Sequence, residues 1–256
     1  MSRWMLASCL TLLMPTAAAP SAAAAPGGVT GAQVEEAYFS AAVPTLREYR
    51  RELAGTLATK PTASHRYLLA YIDFRLNHLL HREPEMQEER DTLLAEAQEQ
   101  LDQLAKESPA AEVWLLLGGV LGERIGIQPF RGMTYGPRAS EALAKASELE
   151  PNNPRVLLQQ GLSHLFTPRM FGGSLEKAEA ELRRARALFA QQPRDTPWPN
   201  WGRADAMAWL GQLLVQKGDL AEAKAVYEQA LQVEPRCGWI RYELLPALER
   251  RTAGGG

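Results

Sequence analysis

With 256 residues, a formal net charge of -2 and an isoelectric point near 6.2, the chain has no basic field to gather nucleic acid or anionic lipid. Charged residues make up 23% and hydrophobic residues 46%, ordinary globular proportions that exclude a disordered or fibrous chain. A chain this long buries roughly 70% of its unfolded surface, so it needs neither a metal nor a disulfide to fold.

Residues 1–25 read as a secretory signal peptide. Arg3 gives a short positive start, residues 4–14 form an apolar run, and Ala, Pro and Ser follow to Pro26. The run is too short to span a bilayer, which takes about 20 residues, so no stable membrane insertion is expected. Small residues then offer cleavage sites of the A-x-A kind, Ala22-Ala23-Ala24 foremost. Two weaker readings are a buried N-terminal helix and lipidation of Cys9 in Leu6-Ala7-Ser8-Cys9, before which there is little apolar chain. Cleavage removes Cys9 and leaves Cys237 without a partner for an internal disulfide. Cys237 is therefore read as a small packing residue in a helix, and the expected location is periplasmic or secreted. Residues 26–63 are read as a linker with one or two helices in 31–57, broken near Pro44.

From residue 64 onward, helical periodicity with Gly and Pro punctuation predicts helices near 64–82, 86–106, 110–123, 138–149, 154–166, 174–191, 203–217, 219–233 and 238–250. Residues 251–256 are expected to be a disordered tail. The clearest unit sets Leu210, Gly211 and Leu214 on a first helix and Gly218-Asp219 in a turn. Leu220, Ala223, Tyr227, Ala230 and Leu231 mark the second helix, and Pro235 closes it. Small residues belong where two helix backbones cross closely, so Gly211 and Ala223 are expected to face each other with Tyr227 beside them. Earlier copies carry Trp114, Leu117, Gly118 and Leu121 with Ala139, Leu143, Ala146 and Pro151, then Leu157, Gly161 and His164 with Ala178, Leu182 and Ala185. A weaker copy pairs a helix over 67–80 with one carrying Ala97, Leu101 and Leu104, closed by Pro109.

This pattern resembles the tetratricopeptide repeat family over residues 64–250. The resemblance implies an all-α fold, a solenoid of about four helical hairpins in a right-handed superhelix with a concave side. It also implies a role in holding a protein or peptide partner, and it implies no chemistry. One turn, Pro168-Arg169-Met170-Phe171-Gly172-Gly173-Ser174 followed by Lys177-Ala178, is similar to a turn in the T-component family that accompanies TRAP-type transporters. That likeness implies an alternative, a transporter accessory binding a small carboxylate or other anionic solute.

Two connections look longer than a standard turn, residues 122–138 and 167–173, and insertions on one edge of a solenoid often mark its working face. Equivalent turns of stacked hairpins lie on the same edge. Phe130, Tyr135 and Phe171 are therefore expected as apolar contacts of one binding edge, and Arg131, Arg138 and Arg169 as polar ones. Ser174 reads as a helix cap, and Gly172-Gly173 lets the backbone turn at positive φ. Trp198 to Arg203 joins two hairpins and is placed on the opposite edge. Pro-Arg recurs at 137–138, 154–155, 168–169, 193–194 and 235–236. Pro suits a helix start, and the Arg beside it is read first as a solvated surface residue and second as a grip on a carboxylate.

No sequence for a zinc protease, a dithiol pair, a nucleophile elbow or a phosphate-binding loop is present. His78 and His81 lie three apart on a helix but lack a third metal ligand, and a solvated pair is the plainer reading. His164 is read as packed. Charge runs such as residues 87–91 are solvated faces. No enzyme activity, cofactor or metal is expected.

Overall fold

The computed structural model describes residues 28–193 and 198–253. The signal segment, its cleavage site, Cys9 and Arg194 lie outside the described residues. The chain runs α1 (Gly31–Phe39), α2 (Val43–Thr59), α3 (Ala63–Leu80), α4 (Gln87–Glu107), α5 (Ala111–Ile127), α6 (Gly132–Leu149), α7 (Pro154–Phe166), α8 (Leu175–Gln191), α9 (Arg203–Lys217) and α10 (Leu220–Val233). A π-helical stretch, Trp239–Leu244, runs into α11 (Leu245–Ala253). Among the described residues there is no strand. The last helix ends at Ala253, so residues 251–253 continue it rather than starting a loose tail.

Helices α3 to α10 pair as four hairpins, α3/α4, α5/α6, α7/α8 and α9/α10, and successive hairpins stack. The first helices also touch one another directly, α3 with α5, α5 with α7 and α7 with α9, which puts them on the inner side of the solenoid. Local chemistry sets the ends. Thr30, Thr62, Asn153 and Ser174 each cap a helix by accepting a backbone N–H from its first turn. Gly218 ends α9 at φ 91°, a conformation that favours glycine. From Tyr67 to Asn77 every residue of α3 is buried, as expected of a helix enclosed on all sides.

One reading of the sequence needs correction. The 122–138 segment is mostly helix. Helix α5 continues to Ile127 because buried Arg124 and half-buried Ile125 and Ile127 keep its packing face going through Gly122 and Gly126. Helix α6 already starts at Gly132 and tolerates Pro137 at an exposed position in its second turn, where only one backbone bond is forfeited. The true turn is the short 3-10 segment Pro129–Arg131. The equivalent turns of the neighbouring hairpins are also 3-10, Pro84–Met86 and Arg169–Phe171, the latter just after Pro168. At the Gly211 crossing, a Cβ would lie 2.2 Å from the Tyr227 ring, so the glycine makes room for the Tyr227 that was expected beside it. Gly161 does the same for Leu182, at 2.8 Å.

Candidate functional site

The turn edge carries most of the exposed apolar bulk. Phe130 is 78% exposed, Met133 92%, Met170 83% and Phe171 72%. Gly172 sits at φ 100°, and Gly173 bonds back from its N–H to the Pro168 carbonyl at 3.2 Å. A Cβ on Gly173 would meet the Thr167 carbonyl oxygen at 1.7 Å, so only glycine closes this turn. The Ser174 N–H then donates to the His164 carbonyl at 3.0 Å, tying the turn to the end of α7.

The charged residues of the expected edge divide. Arg131 holds Asp91 of α4 with two hydrogen bonds, at 2.8 and 3.2 Å. Arg138 holds Asp102 of α4 at 2.8 and 3.0 Å. Tyr135 is half-buried beneath Arg124, whose guanidinium carbon is 5.0 Å from the ring centroid, and Arg131, at 5.9 Å. Arg131, Tyr135 and Arg138 thus pin α6 to the preceding hairpin, while Phe130, Arg169 and Phe171 stand in the open.

The inner face holds what the sequence reading missed. Arg75 of α3 is 1% exposed. Its Nη1 and Nη2 donate to Asp205 of α9 at 2.9 and 3.0 Å. Its Nε and Nη2 reach Glu35 of α1 at 3.2 and 3.4 Å. The Tyr71 hydroxyl accepts from Arg75 Nε at 2.6 Å and donates to Glu35 at 2.5 Å. Tyr38 of α1 lies under the guanidinium, 4.0 Å from its centroid. Burial pushes the Glu35 carboxyl above its ordinary range against the pull of Arg75. Asp205 is held below its own range, where Arg75 outweighs the opposing effect of burial. The available signal was an arginine in the middle of a helix otherwise enclosed by apolar residues, one turn after Tyr71.

A second inner ion pair joins α5 to α7. Arg155 Nε donates to Glu112 at 2.6 Å, and Asn153 Nδ2 donates to the same oxygen at 2.8 Å. Arg155 is buried beneath Trp201, whose indole N–H bonds to the Tyr67 hydroxyl at 3.0 Å. The reading of Pro-Arg arginines as solvated therefore fails at Arg155, where burial is tolerated because a carboxylate compensates the charge. Cys237 is buried and free, and burial raises its thiol to about 11, which suits a packing residue rather than a nucleophile.

Of the two histidines read as a solvated pair, His81 is exposed as expected and His78 is not. His78 packs on the Phe74 ring, with centroids 4.3 Å apart, and sits 3.2 Å from a Glu123 oxygen. His81 bonds to the His78 carbonyl at 2.7 Å. Among the described residues no group of three or more possible ligands could hold a metal. Burial alone would raise the Glu123 carboxyl, but His78, Asn77 and Arg90 outweigh it and hold Glu123 at about 2. A lowered carboxyl contributes stability above its ordinary value of 4.5 and loses it as pH falls toward 2. The Glu123 side chain is 35% exposed, so solvent screening trims the contribution to about 1 kcal/mol. Glu123→Gln should therefore lower urea stability by about that much at pH 6 and by less than half as much at pH 3. An equal gap at both pH values would refute the assignment.

Stacked hairpins with glycines at the helix crossings and first helices lining an inner face make up an all-α helical-repeat solenoid of tetratricopeptide-like fold. The tetratricopeptide repeat family model matches residues 204–237, the last hairpin. Among solved structures, the HusA haemophore from Porphyromonas gingivalis superposes with a TM-score of 0.58. It is 24% identical, over 74% of this chain and 96% of its own. TTC0263, a thermophilic tetratricopeptide protein of Thermus thermophilus, gives 0.59 at 22% identity, over 85% of this chain and 96% of its own. At these identities the likeness is one of fold. No curated protein matches the sequence. The resemblance to the transporter-associated family rests on the 168–178 turn alone.

Proposed function

We propose that the chain is a secreted or periplasmic scaffold that binds a protein or peptide at the turn edge of its second and third hairpins. One observation carries this reading: at both turns an aromatic and a methionine face solvent, Phe130 with Met133 in the first turn of α6, and Phe171 with Met170. Exposed apolar side chains gathered in this way mark interaction surfaces, and methionine adapts to irregular partners. Arg169, and Arg138 from its half-exposed pair with Asp102, supply the rim that would meet acidic residues of the partner. The extracytoplasmic location rests on the composition of residues 1–25. N-terminal sequencing of the mature chain tests it, with an intact Met1 as the contrary result.

For the binding edge the variant is Phe130→Ser with Phe171→Ser. Neither side chain is in the core, so the melting temperature should barely move. Crosslinked capture of the partner from the secreted fraction should weaken by about 2 kcal/mol or more if these are hot spots. Early melting with undiminished capture would overturn the assignment. The neighbour HusA is described as a haemophore, so a haem titration of the same pair of proteins belongs beside the capture. An absorbance change that the variant loses would replace the protein partner with a porphyrin.

A further inference from the structure

Helix α1 is not part of the repeat array, yet it lies among inner elements from both ends of it. Glu35 and Tyr38 meet Arg75 and Tyr71 of α3, as described above. Glu36 pairs with Arg236 at 2.9 Å. A Cβ on Gly31 would strike the Trp198 ring at 2.1 Å, and a Cβ on Gly238 would lie 3.7 Å from the Phe39 carbonyl. Val34 and Ala37 are buried. We propose that α1 is a displaceable occupant of this inner groove, and that the groove's exchange partner is a short helix placing a carboxylate on Arg75 where Glu35 now sits.

Four features of the molecule favour exchange over a fixed strut. The groove has a wall of its own without α1, because Arg75 and Asp205 join α3 to α9 directly. Helix α2 is anchored separately, through buried Leu46 and Leu53, two hydrogen bonds from Arg47 to Glu89 at 2.8 Å, and Arg50 with Asp73 at 2.6 Å. It can stay in place while α1 leaves. The link between the two, Ser40 to Ala42, holds Ala41 at φ 51°, a left-handed conformation that costs a residue with a side chain and is relieved on release. Finally, α1 has nine residues, too few for a stable helix in water, so it is helical because the groove makes it so. The raised Glu35 carboxyl adds to this, since an ionised Glu35 escapes its burial cost on leaving. The choice of a carboxylate partner follows from charge. Arg75 keeps donors beyond those that Asp205 takes, and a carboxylate on the incoming helix would satisfy them as Glu35 does now. This surface is separate from the turn edge, and the proposal stands or falls independently of that reading.

Hydrogen exchange on the unmutated chain reads the release directly. Amides of residues 34–39 should exchange about 100-fold or more faster than those of residues 46–57, reflecting an opening that spares α2. Exchange of both helices at one common rate would show that α1 opens only with global unfolding, and would overturn the proposal. The second measurement uses a fluorescent peptide with the sequence of residues 28–42. It should bind the variant Val34→Asp/Ala37→Asp, whose own helix cannot seat, about tenfold or more tighter than the unmutated chain. A peptide with Glu35→Gln should bind that variant about 30-fold more weakly, equivalent to about 2 kcal/mol. A folded variant that ignores both peptides, or binds them equally, rejects the carboxylate-bearing helix as the occupant.

Discussion

Arg75→Met should cost about 3–5 kcal/mol of folding stability, the loss expected when one member of a buried ion cluster is removed and its partners are left charged. The size follows from the setting. Arg75 is the one cation in direct contact with both Glu35 and Asp205 among the described residues, and methionine keeps the volume while supplying no donor. Two carboxylates would then share a pocket, and at least one must bind a proton to remain there. That gives the deficit a pH signature. Protonation relieves the repulsion, so the gap between variant and parent should shrink as pH falls from 8 to 4. Urea unfolding at several pH values measures both quantities. A loss under about 1 kcal/mol at neutral pH would mean that the cluster is not buried in solution as described.

Gly211→Ala is the second large effect, and it adds a single carbon. That carbon would lie 2.2 Å from Tyr227, a ring that is 1% exposed and has nowhere to go. Overpacking of this kind costs about 1–3 kcal/mol, with the helix propensity of alanine offsetting only part. Shortening the ring should rescue it: in a Tyr227→Leu background the alanine should become nearly neutral. Gly55→Ala is the matching control. Gly55 lies on the exposed side of α2 with nothing within 4 Å, so alanine there should gain about 0.5–1 kcal/mol. Thermal melts of these variants beside the parent decide the matter, and a tolerated Gly211→Ala in the parent would refute the crossing geometry.

The repeat grammar was legible because it is local. Ser174 caps its helix, Gly218 turns at positive φ, and the eight helices of the four hairpins fall close to the periodic stretches. The segment 122–138 was not, because four glycines and two prolines outvote packing in any local reading. Only the neighbours of Arg124 and Ile127 keep α5 helical there. The exposed aromatics of the turn edge were visible as aromatics in connections that do not need them. The ion pairs of Arg131 and Arg138 were invisible, since Asp91 and Asp102 sit 40 and 36 positions earlier in what look like solvated charge runs. Arg75 and Asp205 are 130 positions apart, and no periodicity reports on such a meeting.

That separation also bears on how the chain comes to be folded. A plain repeat array is held by neighbours alone, so it can assemble piecewise and fray from either end. Here the first hairpin's Arg75 finds its acid on the fourth, and Arg82 of the same region pairs with Glu243 beyond it. A ribosome releasing the chain delivers the arginine long before either carboxylate. Until then the early hairpins hold Arg75 against Glu35 alone, without Asp205, and the four hairpins of the finished molecule are expected to open together rather than one by one. A filament of stacked hairpins has, by one joint across its interior, become a closed body.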